Sequence, residues 1–169
     1  MTLRAKLVAP AFSAVILAGG RSARMGQPKA TLRFGGAMLL ERTITELKRQ
    51  FDDIVVVAAP AAAETFPVKP VIDQFERVTL LRDASAFGGP AGALRTGLLA
   101  ARHDRVFACS CDLPLLDAEV ARALCGMLGE YDAVIPEAGG RPHPLHAAYR
   151  RRAADALSAM EAGGERRLT

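Results

Sequence analysis

The apolar run Ala14-Val15-Ile16-Leu17 breaks without a spacer into Ala18-Gly19-Gly20, and two basic residues, Arg24 and Lys29, follow shortly after. The length and β-branching of the run predict a buried strand. Adjacent glycines let the backbone turn sharply and leave N–H groups free to face an anion. Arginine offers a planar fork to phosphate oxygens and lysine a compact point charge. Strand, glycine loop and spaced cations together read as a phosphate cradle. The loop is not a P-loop, because Gly26 is followed by Gln27 where a lysine is required. Nor is it a dinucleotide fingerprint, because Pro28 blocks a helix just before Lys29.

The remaining chain alternates strand and helix signals. Residues 38–51 carry Met38, Leu39, Thr43, Leu47 and Phe51 at helical spacing. Ile54 to Ala58 is apolar throughout, as a central parallel strand should be. A helical turn and loop are expected between Pro60 and Pro70, and a strand from Val78 to Asp83. Gly89-Pro90 opens a helix reaching Ala101, since proline suits a first turn. Arg105 to Cys111 reads as a strand, and Asp117 as the N-cap of the next helix. Short strands over 133–135 and 143–149 and a last helix over 150–162 complete the pattern.

This alternation predicts one α/β domain over residues 1–169, a three-layer αβα sandwich with a Rossmann-like, mostly parallel sheet. Ligands of such sheets bind beyond the carboxyl ends of the strands. The glycine loop, Asp83, Gly89-Pro90 and Asp112 all follow strands, so the topology gathers them on one edge.

Composition narrows the function classes. The formal charge of +4 favours an anionic ligand, but the basic residues are scattered and aromatics make up only 5%. A nucleic-acid surface would cluster its cations and interleave aromatics, so none is expected. Three cysteines fit a reducing cytoplasm better than a disulfide framework. Cys109 and Cys111 are expected as small buried hydrophobes on opposite faces of their strand, so a shared zinc is not expected. Arg4, Lys6 and the apolar residues after them loosely mimic a signal peptide. Cleavage there would destroy the glycine loop, and no run is long enough to span a bilayer.

Asp112 ends a strand and faces the cradle, a place suited to Mg²⁺, which takes one or two carboxylates together with substrate phosphates. His143 and His146 are read on opposite faces of one strand, so a shared metal is not expected, although either could line a pocket. Arg141 could reach a second phosphate. The triplet Arg150-Arg151-Arg152 reads as a solvated helix start.

The stretch Leu17-Ala18-Gly19-Gly20-x-Ser22-x-Arg24-Met25-Gly26, followed by Lys29, resembles the signature of the nucleotidyltransferases that move a nucleotide onto molybdopterin. Gly88-Gly89-Pro90-Ala91-Gly92, Cys111-Asp112-Leu113-Pro114, Pro144-Leu145-His146-Ala147 and Gly164-Glu165-Arg166-Arg167 are similar to later motifs of that family. Its guanylyltransferase branch is the nearer one, since cytidine-specific members favour Ala-Ala-Gly where this chain has Ala18-Gly19-Gly20.

The resemblance implies a fold of the nucleotide-diphospho-sugar-transferase type. It also implies a Mg²⁺-dependent transfer of GMP from GTP to molybdopterin, releasing pyrophosphate. Leu17, Ala18, Gly19, Gly20, Lys29 and Asp83 would contact the nucleotide, and Asp112 both nucleotide and metal. Arg24 and Lys29 would steady the pyrophosphate. Asp83 could accept from the guanine edge or from ribose. The family's nucleotide-contacting asparagine falls near Ala58, which has no polar side chain. The alternatives are transfer from CTP or onto a sugar phosphate, and nucleotide binding without turnover. In the family a further strand and a closing helix follow the position of Thr169; without them an open sheet edge is expected to favour self-association.

Overall fold

The computed structural model describes residues 11–19, 32–64, 67–83, 89–165 and 168. Its centre is a six-stranded sheet. Four strands run parallel: β1 (Ser13–Leu17), β4 (Asp53–Ala58), β5 (Val78–Arg82) and β6 (Arg105–Ser110). β10 (His146–Arg150) pairs antiparallel with β6, and β7 (Ala133–Val134) antiparallel with β10. The order across the sheet is β5-β4-β1-β6-β10-β7. Two small hairpins stand apart from it, β2 (Arg33–Phe34) with β3 (Ala37–Met38), and β8 (Glu137–Ala138) with β9 (Arg141–Pro142).

Helices cover both faces because the central strands are apolar on both sides. On one face, α1 (Leu39–Leu47) and α4 (Ala118–Gly126) bury Leu40, Ile44, Leu47, Leu124 and Cys125 against Ile16, Val56 and Phe107. On the other, α3 (Pro90–Ala100) and α5 (Ala153–Ala162) bury Leu94, Leu98, Ala154 and Leu157 against Val15, Val57 and Ala108. A short α2 (Lys69–Ile72) precedes β5. The expected three-layer, mostly parallel architecture is therefore present. The alternating destinations of Val15 and Ile16, and of Val56 and Val57, follow from the two-residue period of a strand.

Close packing of α3 on β1 requires Gly97. A Cβ at that position would lie 2.4 Å from Val15 Cγ1. At the amino edge of the sheet, Ser13 Oγ donates to Asp53 Oδ2 at 2.5 Å, and the same carboxylate oxygen accepts from the Arg102 N–H at 2.8 Å. The His103 N–H closes the network on Ser13 Oγ at 2.9 Å. These bonds tie β1, β4 and the turn into β6 at buried positions where unpaired polar groups would be costly.

Three expectations are corrected. Cys109 and Cys111 both enter the core cluster beneath α1 and α4 rather than facing opposite ways. Residues two apart on an extended chain share a face, so the spacing itself required this. His143 does not belong to β10, which begins at His146. The arginine triplet is not a helix start, because α5 begins only at Ala153.

That triplet stitches loops together instead. Arg150 pairs with Asp104 and donates to the Gly129 carbonyl, and Arg152 pairs with Asp132. Arg151 donates to the carbonyls of Leu98 and Leu99 at 3.3 and 3.0 Å, capping the end of α3. Among the described residues no helix is long and apolar enough to cross a membrane.

Candidate functional site

The strand order reverses direction at β1. The chain leaves β1 for β4 and β5 on one side and returns to β6 on the other, which opens a crevice at the carboxyl end of β1. Backbone bonds hold that crevice on both flanks. The Ala18 N–H donates to the Val57 carbonyl at 2.8 Å, and the Cys111 N–H to the Leu17 carbonyl at 3.1 Å. β1 therefore stays paired with both neighbours to its last residue and beyond. Leu17 is buried, Ala18 half-buried and Gly19 exposed, so the chain rises from the core to the surface over three residues.

Gly19 meets the end of β4. A Cβ there would stand 3.1 Å from the Ala59 nitrogen, so a side chain would push the two loops apart. The Ala59 loop is itself held from β5. Arg82 pairs with Glu64, its Nη2 lying 3.1 Å from Oε2, and its Nη1 donates to the Ala59 carbonyl at 3.1 Å. Glu64 Oε1 also accepts the Val68 N–H at 3.2 Å. Neither Arg82 nor Glu64 was marked as a site residue by sequence reading. They lie far apart in the chain, and only the pairing of β4 with β5 makes them neighbours.

Asp83 directly follows β5 and is half-buried, its N–H donating to the Ala58 carbonyl at 2.8 Å. Asp112 stands two residues past the end of β6, after Cys111, and is also half-buried. Ser110 Oγ donates to Asp112 Oδ1 and fixes one carboxylate oxygen. Sequence reading missed Ser110, although a Ser-x-Asp spacing at a strand end was the available signal. Cys109 lies beneath this corner with its thiol held above the ordinary range by burial, then by Cys111 and Asp112. A thiol so held stays protonated and is no nucleophile.

Asp83 and Asp112 occupy the same edge but not the same spot. They end the first and fourth strands of the order β5-β4-β1-β6, so the spacing of neighbouring strands sets them about 14 Å apart along the sheet. They cannot share one metal ion, and they can face opposite ends of an elongated ligand. Ala58, which stands where the resembling family has asparagine, is fully packed in the core and presents only its backbone.

Two further elements flank the Asp112 end. Gly89, with φ of 94°, and Pro90 start α3 at the carboxyl edge. From the other side comes the turn before β10, where the Ser110 N–H reaches the Leu145 carbonyl at 3.4 Å. His143 is exposed in this turn, and Tyr149 Oη braces it by donating to the Pro144 carbonyl at 2.8 Å. His146 sits edge-on to Phe107, with ring centroids 5.2 Å apart. Burial, and secondarily His143, hold the His146 imidazole below its ordinary range. Arg141 lies exposed on β9. Gly20, Arg24 and Lys29 lie outside the described residues, so the site described here consists of Leu17, Ala18, Gly19, Asp83 and Asp112 with their supports.

The model of the MobA-like NTP transferase domain family matches residues 14–169. A relative from Methanosarcina acetivorans named "probable molybdenum cofactor guanylyltransferase" is 34% identical over 145 residues, covering 83% of this chain and 64% of its own length. A relative of the same name from Mycobacterium avium is 35% identical over 163 residues, covering 93% of this chain and 78% of its own length. The chain thus spans less than two-thirds of the length of the archaeal relative. Molybdopterin-guanine dinucleotide biosynthesis protein A from Archaeoglobus fulgidus superposes with a TM-score of 0.72 at 23% identity, over 92% of this chain and 76% of that one. At that identity the likeness is one of fold.

Proposed function

The chain belongs to the MobA-like NTP transferase domain family, and on that premise we propose that it transfers GMP from GTP to molybdopterin and releases pyrophosphate. The observation that carries the proposal is the convergence of Gly19, Asp83 and Asp112 on one sheet edge at the reversal of strand order. The names of the relatives supply the nucleotide and the acceptor class.

In this reading the nucleotide lies along the edge. Asp83 takes the nucleoside end, accepting from the guanine N1–H and amine or from ribose. The loop from Leu17 to Gly20 lies against the phosphates, and Arg24 and Lys29 balance the charge of the departing pyrophosphate. A terminal phosphate oxygen of molybdopterin bonds to the α-phosphorus as the bond to the pyrophosphate oxygen breaks. The attacking phosphate is already ionised, so no general base is needed. Catalysis is then mostly positioning and charge stabilisation.

The Asp112 corner fits Mg²⁺. It offers one half-buried carboxylate braced by Ser110, and the described residues contain no cluster of three or more His, Cys, Asp or Glu that would hold a metal alone. A Mg²⁺ site completed by substrate phosphates and water needs no more protein than that. When bound there, Mg²⁺ would neutralise charge on the reacting phosphates. Ser110 fixes one carboxylate oxygen of Asp112, so the carboxylate would meet the ion already braced. Three buried, free cysteines accord with a cytoplasmic setting.

The test is pyrophosphate release with GTP, CTP, UTP and ATP in turn, with and without molybdopterin. GTP- and molybdopterin-dependent release is the expected result. Ala58 leaves the base unread by a side chain at that position, so turnover with CTP would reassign the base. Binding without release under every condition would reject transfer.

A further inference from the structure

At the amino edge of the sheet, opposite the nucleotide crevice, an open groove of about 440 Å³ lies between the end of α1, the start of β4, the turn before β5, and α4. Four cations line it, Lys48, Arg49, Arg77 and Arg122, against a single carboxylate, Asp52. The charges inside the groove do not cancel one another. Asp52 is hydrogen-bonded to His103 Nε2 at 3.0 Å, and Arg49 is paired with Glu46 at 3.0 Å. Lys48 donates to the neutral carbonyl of Glu76 at 2.6 Å and pairs with no carboxylate among the described residues. Arg122 is laid over the ring of Phe12, 5.1 Å from its centroid, and neither it nor Arg77 forms an ion pair among the described residues.

Arg77 carries a second, independent mark. Its φ is 58°, and no other non-glycine residue among those described has a positive φ. A long side chain in the left-handed region is unusual in a turn where glycine or asparagine would be unstrained. Stability alone would favour glycine there, whereas the chain keeps a guanidinium at the mouth of a groove already rich in cations. Such strain is retained where function opposes it.

We propose that this groove is a second anion site, separate from the nucleotide crevice, which takes a short polyphosphate-type anion between Arg77 and Arg122, with Lys48 in support. The guanidinium forks supply paired donors to phosphate oxygens, and the ammonium a point charge. The two sites sit at opposite ends of the β1, β4 and β5 strands, so both can be filled together.

The test is a titration of the ¹⁵N-labelled full chain with tripolyphosphate, read as amide shifts residue by residue. The expected result is saturable movement at Phe51, Asp52, Arg77 and Arg122, distinct from any movement at Gly19 and Asp112. Arg77→Gly removes the charge while relaxing the backbone, so it should melt no lower than the parent chain and yet bind at the groove about tenfold more weakly or worse. Arg77→Lys should retain part of the affinity. Shifts confined to the nucleotide edge, or an unchanged groove affinity in a folded Arg77→Gly variant, would overturn the proposal.

Discussion

Cys111 donates its backbone N–H to the Leu17 carbonyl at 3.1 Å, joining the residue before the glycine loop to the residue before Asp112. This bond extends the β1–β6 ladder by one step, so the loop proposed to face phosphates and the carboxylate proposed to hold a metal leave from adjacent strand ends. Flexing of either loop therefore alters the distance between them only past the last ladder bond.

Asp112→Asn preserves shape but removes charge. Pyrophosphate release should collapse while GTP binding measured without metal largely survives. Ser110→Ala should lower the rate less and raise the Mg²⁺ concentration needed for half-maximal activity, because the carboxylate loses its brace. Wild-type rates for Asp112→Asn at limiting Mg²⁺ would make that residue structural.

Lys29→Met should weaken GTP binding by about 10- to 100-fold, since a charge-assisted hydrogen bond is worth roughly 1.5–3 kcal/mol. Calorimetry on the folded variant checks this. Unchanged affinity would remove Lys29 from the cradle.

The Arg82–Glu64 pair predicts a different signature. Its side chains are 31% and 15% exposed, between a surface pair and a buried one. Glu64→Gln should therefore cost about 1–3 kcal/mol of stability, measurable by urea melts. If the pair also holds the Ala59 loop for the nucleotide, KM for GTP rises with little change in kcat.

Gly97→Ala should destabilise the chain by about 1–3 kcal/mol, because the added methyl meets Val15 at 2.4 Å and α3 must lift from the sheet. The double variant with Val15→Ala should recover part of the loss. Independent, additive effects would show that the contact is not the cause.

His146 makes stability depend on pH. Its folded pKa lies below the ordinary 6.5, first because it is buried and then because His143 is near. Below about 6.5 the unfolded chain binds a proton that the folded chain resists, so stability falls as pH drops from there through the folded value. His146→Phe, which keeps a ring against Phe107, should flatten that part of the profile in denaturant melts across the range.

Much of this protein was legible in its residues. Ala14 to Leu17 and Ile54 to Ala58 could only be buried strands, because nothing in them is polar, and Asp117 was a readable cap whose Oδ1 accepts the Glu119 N–H at 2.7 Å. With Asp83 and Asp112 each placed at the end of a strand-like run, the parallel topology alone put them on one edge. Tertiary structure decided the contacts between residues distant in the chain. Arg82 finds Glu64 because β4 and β5 are in register, and Gly97 is required because Val15 lies beneath it. Arg150 to Arg152 become braces because carboxylates and carbonyls from two other loops and from the end of α3 converge there. Local pattern sets which face of an element is apolar, since that depends on periodicity along one segment. Which charges meet depends on strand order, and no single segment carries that information.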